Sequence, residues 1–166
     1  YFLILKSALL KIKKYNKRNH DKSYNLLISF KCEIKLFKGV LETLNFLKKN
    51  KIKIGILTNG SIKIQKKKIK SLKINDKINK VVFAANFKKQ KPFKYSFVKI
   101  MTLLKVNPNN TIFVGDNYKT DILGAKKLGL YTVHYSKNKK VDKNVNANAE
   151  SFYRLKKILK NLLMSY

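Results

Sequence analysis

Apolar positions along this chain come in short blocks separated by Lys, Asn and Gly, and the spacing inside the blocks changes repeatedly from helical to strand-like. Residues 2 to 31 carry helical spacing, with Phe2, Leu5, Leu9 and Ile12 near one face and a second apolar group at Leu26, Leu27, Ile28 and Phe30. The polar run Asn16 to Ser23 lies between them, so two helices joined by a loop are expected. After Gly39, the residues Val40, Leu41, Leu44 and Leu47 share one helical face, and Lys48 and Lys49 suit the negative end of its dipole. Ile52, Ile54, Ile56 and Leu57 then form a compact run rich in β-branched residues that stops at Thr58-Asn59-Gly60, as a strand entering a turn would.

The alternation repeats three more times. Ser61 can cap a helix carrying Ile62, Ile69 and Leu72, and Val81 to Ala84 is a short apolar strand. Pro92, suited to a first helical turn, opens a helix with Phe93, Phe97, Ile100 and Leu104 on one face. Thr111 to Val114 is the next strand and breaks at Gly115; a helix with Ile122, Ala125 and Leu128 stops at Gly129, and Tyr131 to His134 is the last clear strand. Residues 136 to 149 are polar without periodicity and read as a surface loop, before a closing helix with Phe152, Leu155, Leu159 and Leu162. Strands alternating with helices imply an α/β fold with a parallel sheet covered by helices on both faces.

The length of 166 residues suits one domain, or one domain with a small helical appendage. The apolar opening Tyr1 to Leu10 is interrupted by Lys6 and followed by Lys11, Lys13 and Lys14, which argues against a membrane span or a signal peptide. A start at Tyr rather than Met suggests that upstream sequence is absent. The single cysteine, Cys32, can form no disulfide within the chain, and no Cys/His spacing suits a metal, so a reducing, cytoplasmic setting is expected. The formal net charge of +31 would favour a polyanion such as RNA, DNA or an acidic membrane surface. Yet the charge is almost all Lys, spread along the chain, with Arg only at Arg18 and Arg154. Nucleic-acid readers tend to cluster charge and to use Arg for bidentate contacts, so compositional drift is the favoured explanation and no specific nucleic-acid partner is expected.

Ligands of open parallel sheets bind beyond the carboxyl ends of the strands, where three polar groups fall here. Thr58, Asn59 and Gly60 offer a hydroxyl and backbone N–H groups for a phosphate oxygen, or simply a turn whose Asn and Gly supply the backbone angles. Lys91 could neutralise a phosphate and a carboxylate together, or be one solvated Lys among Lys88, Lys89 and Lys94. Asp116 and Asp121, two of only eight acidic residues, stand at the mouth of an apolar strand, where hard oxygen ligands suit Mg²⁺. Turn and helix-cap roles would explain them too.

Taken in order, Ile56-Leu57-Thr58-Asn59-Gly60, Lys91-Pro92-Phe93 and Val114-Gly115-Asp116-Asn117-Tyr118-Lys119-Thr120-Asp121 resemble motifs II, III and IV of the haloacid dehalogenase (HAD) superfamily. Leu36-Phe37-Lys38-Gly39-Val40 is similar to the stretch that enters the core after the cap, and Asp121-Ile122-Leu123-Gly124-Ala125 with Leu128-Gly129 to the helix after motif IV. The resemblance covers about residues 36 to 135 and implies a HAD-like Rossmannoid core at 36–166, with 1–35 as part of a subfamily I helical cap. It further implies a Mg²⁺-dependent phosphomonoester hydrolase acting on a small phosphorylated metabolite. Thr58 would hold a phosphoryl oxygen with the Asn59 amide and the Gly60 turn, Lys91 would offset the charge of nucleophile and phosphate, and Asp116 and Asp121 would serve the metal.

The family's motif I, an apolar strand followed by Asp-x-Asp-x-Thr, does not occur in these residues; Asp21, between His20 and Lys22, is no substitute. In the family that strand is central, between those of motifs II and IV, so a gap in the sheet and the loss of the nucleophile are expected. The sequence thus reads as N-terminally incomplete, with little or no phosphatase activity of its own. A non-catalytic HAD remnant or interaction domain, and less readily a basic nucleic-acid-binding module, are the alternatives.

Overall fold

The computed structural model describes residues 16–29, 34–137 and 145–164. The helix expected over Phe2 to Ile12, and Phe30, lie outside the described residues. The chain divides into two compact units, Tyr1–Ile34 and Lys35–Tyr166. In the first, helix α1 (Lys17–Ser29) runs through most of the polar stretch expected to be a loop. The reason is local: Asn16 Oδ1 accepts from the Asn19 N–H at 2.7 Å, and the Asn16 carbonyl from the His20 N–H, so the polar run starts a helix.

In the second unit, α2 (Val40–Lys49), β1 (Gly55–Thr58), α3 (Ile62–Ser71), β2 (Lys80–Phe83) and α4 (Lys94–Leu104) follow one another. Then come β3 (Ile112–Gly115), a π turn (Tyr118–Ile122) running into the short α5 (Leu123–Lys126), β4 (Tyr131–Tyr135), β5 (Ala147–Ala149) and α6 (Phe152–Met164). All pairing is parallel, as the alternation requires. The strands form two sheets rather than one: β1 pairs with β2, setting Leu57 opposite Val82, while β3, β4 and β5 pair in that order, setting Phe113 opposite Thr132 and Val133 opposite Ala147. Among the described residues no strand pairs with the other edge of β1 or of β3.

Four expectations change in detail. Ile52 and Ile54 lie before β1, where Asn79 closes the chain instead: its Oδ1 accepts from the Ile54 N–H at 2.7 Å and its N–H donates to the Ile54 carbonyl at 2.8 Å. Pro92 precedes α4 rather than sitting in its first turn; the Lys91–Pro92 bond is cis and Phe93, with extended backbone, holds the N-cap position. The helix after β3 begins as a π turn because the Asn117 carbonyl accepts from both Asp121 and Ile122, at 2.8 and 3.4 Å. The expected loop at 136–149 contains β5, whose Ala149 is fully buried and accepts from the Ser136 N–H at 3.0 Å.

Two apolar clusters cover opposite faces of β3, as its alternating side chains dictate. Phe113 packs with Phe97, Met101, Ala125 and Leu130, and Leu57 of β1 packs against the same cluster. Ile112 packs with Val133, Ala149, Leu155 and Leu159, joined by Phe46 and Leu47 from α2. β1 and β3, which belong to different sheets, therefore share one core beneath α4. Gly124 makes that packing possible, because a Cβ there would lie 2.8 Å from two atoms of the fully buried Phe97 ring and 3.0 Å from the Pro92 carbonyl oxygen. Gly124→Ala should gain up to about 1 kcal/mol of helix propensity and lose about 1–3 kcal/mol to overpacking. A net loss of stability is expected in urea titration; an unchanged midpoint would mean that the Phe97 ring yields freely.

Candidate functional site

β1 and β3 end at the same side of the molecule, and the groups singled out in the sequence follow them. Thr58 is the last residue of β1, and its Oγ1 accepts from the Gly60 N–H at 3.2 Å. Neither Asn59 nor Gly60 has a positive φ, so this turn does not depend on the backbone freedom of glycine, contrary to the turn reading of the sequence. Gly60 instead lies against the Gln65 side chain. Asn59 does something the sequence did not suggest: its Oδ1 accepts from the Lys91 N–H at 3.0 Å and its Nδ2 donates to the Lys91 carbonyl at 2.9 Å. That two-point clamp fixes the backbone of Lys91 against the end of β1.

From there the Lys91 side chain bridges the two sheets. Its Nζ donates to the Leu57 carbonyl at 3.1 Å and to Asp121 Oδ1 at 2.7 Å, and lies 5.9 Å from the Phe113 ring centroid. The ion pair is nearly dry, with side-chain exposures of 10% for Lys91 and 7% for Asp121. The bland reading of Lys91 as a solvated surface lysine is thereby overturned. Asp121 is held further by the Asn117 N–H, which donates to Oδ2 at 3.2 Å, and by the Thr120 hydroxyl at 3.4 Å from Oδ1. Gly115 is the floor for this carboxylate, since a Cβ there would come within 2.7 Å of Asp121 Oδ2. Asp116, one residue beyond β3, is exposed, and its carbonyl accepts from His134 Nε2 at 3.1 Å.

Asn59, Lys91 and Asp121 are thus one bonded network, with Thr58 and Asp116 at the ends of the two strands it joins. Asn117, Thr120 and His134 were missed in the sequence. Asn117 and Thr120 had a detectable signal, an Asn three residues before a Thr at a helix start, where Asn117 Oδ1 accepts from the Thr120 N–H at 3.0 Å. His134 had none, because only the β3–β4 register sets it beside Gly115. Removing the clamp with Asn59→Ala should cost about 1–3 kcal/mol through two lost hydrogen bonds. Asn59→Asp, able to accept from the Lys91 N–H but not to donate, should keep part of that, as chemical denaturation of the pair of variants would reveal.

For a cation, the carboxylate geometry is selective. Among the described residues no group of three or more His, Cys, Asp or Glu side chains converges, so no closed site of the zinc type is present there. Mg²⁺ needs only one or two carboxylates and keeps several waters, a demand that the exposed Asp116 suits. Asp121, with both oxygens engaged, is better placed to orient Lys91 than to ligate alone. Beside Asp116 lies an open cavity of about 400 Å³ walled by Phe37, Tyr135 and Phe152. Tyr135 stacks on Phe37 at 6.4 Å and tilts against Phe152 at 5.0 Å.

The sequence model of the haloacid dehalogenase-like hydrolase family matches residues 5–135. The chain belongs to this family. A glyceraldehyde 3-phosphate phosphatase of Pyrococcus furiosus is 35% identical over 101 residues, covering 61% of this chain and 42% of the relative. The crystal structure of a HAD phosphatase from Thermococcus onnurineus superimposes with a TM-score of 0.69 at 28% identity, over 75% of this chain and 58% of that one. A beta-phosphoglucomutase from Clostridium difficile, at 24% identity and TM-score 0.73 over 99% of this chain and 78% of its own, is alike in fold. The HAD-like chain spans about half the length of the curated relatives it matches.

Proposed function

We propose that this HAD-like chain is the phosphoryl- and metal-handling part of a Mg²⁺-dependent phosphomonoester hydrolase for a small phosphorylated metabolite. The observation that carries this reading is the buried Lys91 ammonium, clamped through Asn59 and paired with Asp121 at the shared mouth of β1 and β3. An ammonium fixed there attracts a phosphoryl group and offsets a second negative charge beside it. Thr58 Oγ1 would donate to one phosphoryl oxygen and the Asn59 backbone N–H to another, while Asp116 would hold Mg²⁺ and Asp121 would keep Lys91 in place. Mg²⁺ supplies charge neutralisation on the phosphoryl oxygens when bound. The aromatic-walled cavity beside Asp116 leaves room for the organic part of the substrate.

The attacking carboxylate is not among the residues gathered here, since the chain contains no Asp-x-Asp. Relatives named as phosphatases for glyceraldehyde 3-phosphate and ribulose-1,5-bisphosphate support a small phosphorylated substrate. Residues 1–35 fit the remainder of a helical cap, and the single cysteine suits a cytoplasmic setting. No helix among the described residues is long and apolar enough to cross a membrane.

The test is calorimetric titration of the chain with inorganic phosphate, with and without Mg²⁺. Binding strengthened by Mg²⁺ is expected, lost in Lys91→Met and made Mg²⁺-independent in Asp116→Asn, with circular dichroism confirming that each variant folds. Phosphate binding that ignores Mg²⁺ and both substitutions would assign it to the general positive charge and overturn the reading.

A further inference from the structure

We infer that the end of the second unit opposite Lys91 docks on an anionic lipid surface. Along the chain the lysines are scattered, but folding gathers many of them. The strand pairs are parallel, and each of α2, α3 and α4 leads into the start of the next strand, so the carboxyl ends of these helices meet at the strand starts. Bonds between distant segments fix this arrangement. Lys48 Nζ donates to the Asp76 carbonyl at 3.1 Å, and Lys53 Nζ donates to the Leu104 carbonyl at 2.8 Å. Residues 48–53, 70–80 and 104–106 thus form one pole with nine lysines and a single acidic residue, Asp76. Glu42, Asp116, Asp121 and Glu150 stand at helix starts or strand ends on the far side.

Three of the pole's lysines sit where glycine is the default. Lys51, Lys73 and Lys105, each following one of the three helices, have positive φ angles of 58°, 51° and 54°. A Cβ makes this left-handed backbone costly. All three residues are exposed. Conformation therefore works against lysine at each position, while the negative helix end favours a cation there, and an anionic surface beyond it would do the same.

The chemistry of the pole suits lipid better than nucleic acid. Its segments contain no arginine for bidentate contacts and no aromatic residue on which a base could stack. The exposed Phe93, Tyr95 and Tyr153 lie at the starts of α4 and α6, at the other end. What the pole exposes is aliphatic: Ile52 and Leu103, and Met164 at 76%. Met164 belongs here because α6 runs beside α2 in the same sense, with the Thr43 hydroxyl donating to the Phe152 carbonyl and Lys156 over the Phe46 ring. Lysine stems and a few aliphatic side chains can enter a headgroup layer while the ammonium groups meet its phosphates and carboxylates. A cavity of about 150 Å³ between Lys48, Lys51, Lys53 and Lys77 offers room for one headgroup phosphate. Docking by this pole leaves the mouth at Lys91 and Asp116 open to water.

The inference stands apart from the phosphatase reading. Its test is flotation of the chain with phosphatidylcholine vesicles, with and without about one-third phosphatidylserine, at about 0.1 M salt. Binding only to the anionic vesicles, lost as salt rises, is expected. Lys51→Gly, Lys73→Gly and Lys105→Gly combined should weaken it about tenfold or more. Glycine takes the left-handed backbone freely, so the urea midpoint should not fall and the lost binding reports the charge. Lys88→Gln, Lys89→Gln and Lys94→Gln together remove the same charge at the other end and should weaken binding less than about twofold. Equal losses in both triple variants would assign binding to the general charge of the chain and overturn the inference. Binding to phosphatidylcholine alone, or to neither vesicle, would overturn it too. So would an oligonucleotide that displaces the vesicles and loses affinity in the glycine variant, because the pole would then serve nucleic acid.

Discussion

Lys91→Met is expected to lower the stability of the chain by about 3–5 kcal/mol, because it removes one partner of a buried ion pair and strands the other. Asp121 is 7% exposed in its side chain, and its Oδ1 would lose a 2.7 Å bond with no room for bulk water to replace it. Only the Thr120 hydroxyl, at 3.4 Å, would remain on that oxygen. The same substitution frees the Leu57 carbonyl, a second acceptor left without its donor. Methionine keeps the length and the apolar stem, so the loss reports the charge rather than a cavity. Pairing it with Asp121→Asn should recover a large part, since two neutral groups carry no uncompensated buried charge. A double-mutant cycle in urea measures the coupling directly. A single-variant loss below about 1 kcal/mol would place the pair with screened surface ion pairs and deny Lys91 its bridging role.

Phe97→Ala should cost about 3–5 kcal/mol, the range for truncating a large aromatic side chain in a core. Phe97 is fully buried, meets Phe113 edge-on at a centroid distance of 5.0 Å, and touches the bare face of Gly124. Its loss should be felt on both sheets at once, because Leu57 of β1 and Phe113 of β3 pack against the cluster it anchors. Native-state hydrogen exchange is the informative readout: β1 and β3 should both open at lower free energy, and β5, which packs with Leu155 and Leu159 on the other cluster, should change less. Equal acceleration throughout would show that the second unit unfolds as one block.

Much of this protein was determined by sequence alone. Short runs such as Ile56-Leu57 and Ile112-Phe113-Val114, each followed by a polar turn and a helix of period 3.6, can be satisfied only by strands joined by crossover helices. That pattern carried the α/β class, the parallel sense of the β1–β2 and β3–β4 pairs and the placing of Thr58, Lys91, Asp116 and Asp121 at or after strand ends. The family followed from the order of the same residues. Periodicity is a local property, and these elements are local.

What only the tertiary structure decided depends on contacts between residues far apart in the chain. The division of the strands into two sheets is a matter of pairing, which hydrophobic alternation does not encode; a gap there was expected only from the family resemblance. Lys91 looks like any other of the many lysines until Asn59, 32 residues away, clamps its backbone and Asp121, 30 residues away, takes its charge. β5 was invisible because Ala147-Asn148-Ala149 has too little apolar pattern of its own; pairing with β4 and burial of Ala149 make it a strand. Asn16 to Ser23 went the other way, since a polar run says nothing against a helix once Asn16 satisfies its first N–H groups. In each case the deciding free energy comes from desolvating and pairing groups that only folding brings together, which a window of neighbouring residues does not contain.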